Sequence, residues 1–579
     1  MTSLEELRHS AAHVLAAALQ RLYPQTKFDI GPPTEAGFFY DIDCPHRLSS
    51  EDFEAIEAEM TKIIAEDQSF ERKIVTREEA SKHFTKSHQN FKLSRLDDIP
   101  EEDEITFYTN GDFTDLCAGT HLESTRQIGA FKLLSISGSY HRGDENQAQL
   151  QRIHGTAFPT EKELNAHLLA LEEAARRDHR KLGAELKLFR LDASIGSGLP
   201  LLLPRGATIR AELERMLSDK LEDYGYDRLY SPHIGSIDLF KTSGHYPYYA
   251  EDMYQPIRIE EREFLLKPMN CPMHIQAYTA EPRSYRDLPQ RYAEYGTVYR
   301  KEQSGELNGL VRVRGFTQDD GHIFCRPEQL KDEFKNCLQL VQEVMALFDL
   351  RTKCRVSLRD PENSDKYAGQ DSLWIPAEAC IQEVVDELKL EHTVGLGEAA
   401  FYGPKLDFMA LDALERSWQL GTIQVDFSLP ERFSLEFIGS DNQPHRPVMI
   451  HRAVFGSLER FIGLLIEHFS GDFPLWLAPE QIRIIPITDA QIEAADALLA
   501  RCKSLRLRAT IDDSSHKMGA KIRRAQLEKA PLMVILGKRE IENDQVAVRS
   551  RAKGDEGAVD TEVFLQQVAA EIAKRGEHS

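Results

Sequence analysis

Two groups of residues have the types and spacing to do chemistry. The first lies in 291–325, RYAEYGTVYRKEQSGELNGLVRVRGFTQDDGHIFC. It reads as a strand ending at Arg300, a loop with Glu302 and Gly305, and a second strand carrying Arg312 and Arg314. Gln318, Asp319, Asp320 and His322 follow closely. Strand-mounted charges are rarely buried without a partner. This set suits a polyphosphate held beside an ammonium group, and a plain surface hairpin is the alternative. The second group pairs His9 with His13, four apart on a helical pattern and therefore on one face. Asp115, Cys117 and His121 of DLCAGTH stand far downstream. HxxxH with CxxxH is a possible metal set by ligand type, although a single histidine on such a helix is more often structural or exposed.

The elements that must position these residues fall into segments. Residues 1–158 mix helical patterns at 4–22 and 50–68 with strand-like runs such as EITFYTN and AFKLLSIS. From 159 to 187 the sequence reads as one long connecting helix, with Thr160 as N-cap and Glu163 three residues on. Residues 188–475 alternate helices with the strands REFLLKPM, RYAEYGTVYR, GHIFC, TIQVDFSL and FSLEFIG. Turns rather than crossover helices separate several of these, which predicts an antiparallel sheet. Residues 476–579 alternate strand and helix three times, from IRIIPI to TEVFLQQVAAEIAKR, as a small α/β domain does. The fold class expected is multidomain α+β.

A chain of 579 residues implies three or four domains. No segment approaches 18 consecutive apolar residues, so no membrane partner is expected. The acidic, amphipathic start MTSLEELRHSAAHVLAAALQRLY lacks the basic opening of a signal peptide, and the eight cysteines include no CxxC pair. Both observations predict a cytoplasmic protein with reduced thiols. The net charge of −23 argues against nucleic acid at first sight, but residues 501–579 hold 16 Lys/Arg against 12 Asp/Glu. A further basic cluster, RRDHRK, lies at 176–181. Local basic faces on an acidic body suit a polyanion bound at defined places, or are ordinary solvated faces.

The segment RKEQSGELNGLVRVRGFTQDDGHIF resembles motif 2 of class II aminoacyl-tRNA synthetases, in the form found in threonyl-tRNA synthetases. VMIHRAVFGSLERFIGLLIEHF (448–469) looks like motif 3, and PRGATIRAELERMLSDKLEDYGYDRLYSP (204–232) like motif 1. The resemblance implies a class II antiparallel catalytic core at 188–475, an N-terminal editing domain at 1–158, a helical linker at 159–187 and an anticodon-binding domain at 476–579. The activity implied is joining of threonine to tRNA(Thr) with ATP and Mg²⁺, in a homodimer. By match, Arg300 and Arg460 would neutralise the α- and γ-phosphates and Glu302 would contact the adenine. Gln318 and Asp320 would recognise threonine's amino and hydroxyl groups. Arg312, Tyr402, Lys405, Gln424 and Ser457 would complete the pocket.

Cys271 in KPMNCPMH, His322 in DGHIF and His451 in MIHRA match the family's zinc ligands. Their separations of 51 and 129 residues would never show such a site unaided. Zinc binding both amino and hydroxyl groups leaves valine, the isostere of threonine, with an unfilled ligand position. Serine keeps the hydroxyl, and one missing methyl is worth roughly 1–3 kcal/mol, or about 10- to 200-fold. A second, hydrolytic site is therefore predicted. His9, His13, Lys92 (in NFKLSR), Asp115, Cys117 and His121 match the family's editing site, as do GPPTEAGFFYD and SYHRGDENQAQLQRIHGTAF around it. That site is metal-free in the family, so no metal is expected there. HKMGAKIRRAQLEKAP and GKREIENDQVAVRSR match the anticodon domain, with Glu540 and Arg549 placed for base contacts.

One departure from the family pattern is the absence of a small ubiquitin-like domain before the HxxxH helix, which should leave both chemical sites intact. A non-catalytic RNA-binding relic would show degenerate arginines, yet Arg300 and Arg460 are present. Prolyl and seryl relatives share the motifs but not the combination of Cys271, His322 and His451 with this editing domain. A free-standing hydrolase would lack 188–475.

Overall fold

A computed structural model describes residues 3–144, 146–363, 366–368, 370–412 and 416–575. They form two compact units, divided between residues 173 and 174.

The first unit is built on the helix Leu4–Leu22, whose alanine-rich inner face is fully buried. Ser3 and Glu6 close its first turn reciprocally: Ser3 Oγ accepts from Glu6 N at 3.1 Å, and Glu6 Oε2 accepts from Ser3 N at 3.2 Å. The helix packs on a four-stranded antiparallel sheet ordered Lys27–Phe28, Phe38–Asp43, Gln149–Phe158, Ala130–Tyr140. A second sheet, Glu71–Val75, Ile105–Asn110 and Phe113–Leu116, brings DLCAGTH to the same helix. The short helix Asn90–Asp97 carries Lys92 and is clamped by the buried Asp29, whose carboxylate accepts from Arg95 Nε and Nη2 at 2.7 and 2.9 Å.

The predicted connector is not one helix. Glu161–Arg177 and His179–Glu185 are separated by Asp178, which leaves the helical region (φ −45, ψ 121) and caps the second helix by accepting from Arg180 N at 2.7 Å. An aspartate competes for nearby backbone N–H groups, and here that local bond ends one helix and starts the next. Thr160 and Glu163 do form the predicted N-terminal box.

The second unit contains an eight-stranded sheet ordered Asp227–Arg228, Gln290–Tyr299, Gly315–Cys325, Val448–Ser457, Ser417–Asp426, Lys405–Leu411, Arg351–Leu358, His392–Leu396. Every interior pair is antiparallel, and the two outermost pairs are parallel. Helices Pro204–Asp223, Leu330–Ala346 and Leu458–His468 share one apolar core with the sheet. Two expectations need correction here. Arg312 and Arg314 lie in the loop before Gly315 rather than on the strand, and FSLEFIG contributes only Phe437–Ile438 to a two-stranded ribbon.

The C-terminal part of this unit has a five-stranded sheet ordered Ala509–Ile511, Ile482–Pro486, Leu532–Leu536, Gln545–Ser550, Gly554–Asp560. Its first three strands are parallel, as the strand–helix alternation predicts. The last two add an antiparallel hairpin that the sequence reading did not anticipate. Polar GDEGAVD offers no apolar face to betray a strand, because it is an edge strand open to solvent.

Candidate active sites

Antiparallel register lays one candidate site across the sheet in a single row. His322 lies opposite His451, His451 opposite Gln424, and Gln424 opposite Lys405. Residues scattered over 322–451 thus become neighbours, because directly paired strand positions have Cβ atoms about 5 Å apart. Cys271, at the start of the helix Cys271–Tyr278, joins them, and the donor atoms of Cys271, His322 and His451 lie within 4.8 Å of one another. Tyr402 leans on the His451 ring at 5.0 Å and donates to Gln424 Oε1 at 2.5 Å. Asp320 follows on the same strand as His322, is pushed up in pKa by burial, and accepts from Asn270 Nδ2 at 2.9 Å.

The carboxylates near the two histidines set their tautomers. Asp426, fully buried, faces His451 Nε2 at 2.8 Å, so that nitrogen carries hydrogen and His451 Nδ1 presents a lone pair. Glu294 faces His274 Nε2 at 3.2 Å, leaving His274 Nδ1 as acceptor for His322 Nδ1 at 2.9 Å. His322 Nε2 is then also a lone pair, and it faces His451 Nδ1 at 3.0 Å. Two buried lone pairs pointed at each other repel unless a cation lies between them. With a buried thiol alongside, a soft divalent metal satisfies all three, and the Cys–His–His set leaves a position open for a ligand. Burial drives His322 well below the ordinary histidine range, favouring the neutral form that binds metal. Burial alone would raise Glu294, but bonds from His274 and Ser231 outweigh it and hold the carboxyl at about 2.

His274, Asp426, Glu294 and Asn270 are the residues that sequence reading missed. His274 stands three after Cys271 on a helix, and Asp426 two after Gln424 on a strand, so each shares a face with a predicted residue.

Beyond the row, three guanidinium groups converge. Arg460, on the first turn of Leu458–His468, is held by Val311 O at 3.0 Å, and its pKa is lowered by burial and then by the charges of Arg300 and Arg312. Arg312 pairs with Glu302 at 2.7 Å and Glu306 at 2.9 Å, while Arg300 stacks over Phe316 at 5.3 Å. Such crowded cations suit a bound polyanion. Ser457, read from sequence as a pocket residue, caps the helix by accepting from Arg460 N at 3.2 Å. Gln318 lies opposite Ser457 across a bulge in the strand pair. Lys405 donates to the buried Asp407 at 2.6 Å, which also accepts from Ser357, Gln419 and Thr422.

In the first unit His9, His13, Cys117 and His121 come together, again within 4.8 Å. Three of the four are joined by hydrogen bonds, while His13 Nδ1 is buried without a partner. His9 Nδ1 donates to Thr120 O at 3.3 Å and His9 Nε2 accepts from the Cys117 thiol at 3.3 Å. His121 Nε2 donates to Cys117 Sγ at 3.4 Å and its Nδ1 accepts from Ser10 Oγ at 3.3 Å. Burial pushes Cys117 up to about 11. Beside them Asp115 takes Lys92, the Tyr40 hydroxyl and Leu116 N, with His13 Nε2 at 3.6 Å. Tyr40 is a further member that the sequence did not single out.

Burial lowers His13 well below its usual range, and His9 and His121 shift in the same direction. The unfolded chain therefore takes up protons below about pH 6.5 that the folded unit refuses. Stability is full above that pH and falls below it, by up to about 1.4 kcal/mol per pH unit for each histidine. Hydrogen exchange of Leu4–Leu22 from pH 7.5 to 5 is expected to show protection falling faster than in Leu330–Ala346; parallel behaviour would mean the rings titrate normally.

In the C-terminal part, Glu540 caps its own short helix, accepting from Gly537 N at 3.1 Å, and Arg549 is half-buried on the strand Gln545–Ser550 that packs against that helix.

An antiparallel sheet with arginines on the strand–loop–strand and strand–helix motifs defines a class II aminoacyl-tRNA synthetase core. The family profile for the class II core domain of the G, H, P, S and T synthetases matches residues 253–469. The anticodon-binding domain profile matches 481–574, and the threonyl and alanyl synthetase second additional domain matches 105–154. Threonine–tRNA ligase of Deinococcus deserti is 51% identical over 94% of this chain and 85% of its own length. That of Thermus thermophilus is 50% identical over 98% and 88%. Among solved structures, the RNA-binding domain of the Cryptosporidium parvum threonyl-tRNA synthetase matches with TM-score 0.66 and 35% identity, covering 68% of this chain and 98% of that one. The chain belongs to the threonine–tRNA ligase family. Its chemistry is ATP-dependent aminoacylation with Mg²⁺, accompanied by hydrolytic editing in the additional domain.

Proposed function

We propose that Cys271, His322 and His451 hold one zinc ion per chain and that this row sorts threonine from valine before transfer to tRNA(Thr). The observation that carries this reading is the pair of buried lone pairs on His322 and His451, 3.0 Å apart beside a buried thiol. A zinc ion bound there would supply a Lewis-acidic position for the amino and hydroxyl groups of threonine. Asp320, held by Asn270, is placed to accept from the amino group, and Gln318 lines the same strand. Arg300, Arg312 and Arg460 neutralise the triphosphate, and Glu302 orients Arg312 and meets the adenine. Tyr402, Lys405, Gln424 and Ser457 shape the remaining walls. We assign residues 1–158 to editing, 159–187 to the linker, 188–475 to catalysis and 476–579 to the anticodon, with Glu540 and Arg549 as base contacts. The protein works as a cytoplasmic homodimer. No described helix is long and apolar enough to cross a membrane.

In the first unit, His9, His13, Lys92, Asp115, Cys117 and His121 activate and position water against the ester of seryl-tRNA(Thr), without a metal. Charging assays with labelled threonine, valine and serine test the whole scheme. Threonine should be charged, valine should not be activated, and serine should be activated but leave no stable product. Stable valyl product would remove the zinc-based sorting, and stable seryl product would remove the editing assignment.

A further inference from the structure

His179 is a buried residue to which neither the zinc row nor the phosphate site assigns a role. It opens the second connector helix, and both its ring nitrogens are engaged. Nδ1 donates to Glu467 Oε1 at 2.6 Å, and Nε2 accepts from the backbone N–H of Leu310 at 3.1 Å. The backbone N–H of His179 also donates to Glu467 Oε1, at 3.1 Å, while the other carboxylate oxygen takes Arg416.

These contacts tie the loop 300–314 to the helix Leu458–His468 at two adjacent peptides. Val311 O is held directly by Arg460, and Leu310 N is held through His179 by Glu467, two turns along the same helix. Arg312 follows immediately. The slot is shaped for the ring. Gly309 has φ +52, and a Cβ there would sit 2.0 Å from His179 Nε2, while a Cβ added at Gly463 would reach 3.6 Å from His179 Cδ2. A ring anchored at both nitrogens cannot move aside for a Cβ at Gly309, whereas the Gly463 distance is ordinary packing contact.

We propose that His179 is a positioning residue for ATP. It accepts the Leu310 N–H and thereby sets the loop that presents Arg312 opposite Arg460. The inference rests on the reading of these arginines as the triphosphate site. Threonine recognition lies on the sheet row, so loss of His179 should affect ATP far more than threonine.

The test is ATP–pyrophosphate exchange with each substrate varied, for the full chain and the variants His179→Ala, His179→Gln, Glu467→Gln and Arg460→Ala. Leaving the buried Leu310 N–H unpaired should raise KM for ATP by about tenfold in His179→Ala, with KM for threonine within twofold. His179→Gln, which restores an acceptor at the Nε2 position, should recover most of that loss. Equal rises in both KM values, no rise for ATP, or no recovery with glutamine would overturn the proposal. If the alanine variant is insoluble, Glu467→Gln decides. It keeps the volume but loosens the ring, and an unchanged KM for ATP there would equally overturn it. Arg460→Ala separates the two readings: if it leaves ATP dependence unchanged, the triphosphate assignment itself fails.

Discussion

Cys271→Ala is expected to lower threonine-dependent ATP–pyrophosphate exchange by about 10³-fold, the upper range for one lost electrophilic group, with the fold retained. Zinc measured after dialysis should fall from one per chain to near zero. The alanine removes the only thiol of the set, leaving two imidazole lone pairs that a proton can satisfy as well as a metal. Asp426→Asn should act on the same site through the tautomer. Asp426 Oδ1 accepts from Ser428 N and Leu429 N at 2.7 and 2.9 Å, so an asparagine would keep its oxygen there and turn its amide toward His451 Nε2. The imidazole must then carry its hydrogen on Nδ1, inside the ligand space. Loss of such a partner weakens metal binding by roughly 10- to 100-fold. Full zinc content and normal exchange in Cys271→Ala would sink the assignment.

What the sequence made legible follows from how far apart the informative residues lie. Leu4–Leu22 was readable because its amphipathic pattern and its HxxxH pair fall within one element. Val448–Ser457 running into Leu458–His468 was readable for the same reason. The row His322–His451–Gln424–Lys405 was not, since register across three strand pairs is set by tertiary packing rather than by local pattern. The resemblance named its members, but only the register explains why they meet. His274 and Asp426 lie on the faces of residues already singled out, yet nothing local says that a histidine hydrogen will be needed there. Asp178 was missed because a single Asx bond inside strongly helical sequence outweighs the propensity around it. The strand Gly554–Asp560 of the hairpin was missed because an edge strand can be polar on both faces.

Lys92→Met is expected to let seryl-tRNA(Thr) accumulate, with its hydrolysis slowed by roughly 10²- to 10⁴-fold and threonine charging within twofold. Lys92 is buried, its ammonium set against Asp115, 3.2 Å from the Tyr40 hydroxyl and 5.5 Å from that ring's centre. A buried charge keeps its partner ionised only while it is present. Without it, the Asp115 carboxylate loses its ion-pair partner and keeps only the Tyr40 hydroxyl and Leu116 N as hydrogen-bond donors, with His13 Nε2 at 3.6 Å. Methionine keeps the volume, so the effect reads charge rather than a cavity. Deacylation at the normal rate by folded Lys92→Met would make the cluster structural. A chelator separates the two sites in the same preparation. Threonine activation, which depends on the zinc proposed at Cys271, His322 and His451, should disappear even with Mg²⁺ restored. Deacylation should persist, because the editing site is proposed to work without a metal.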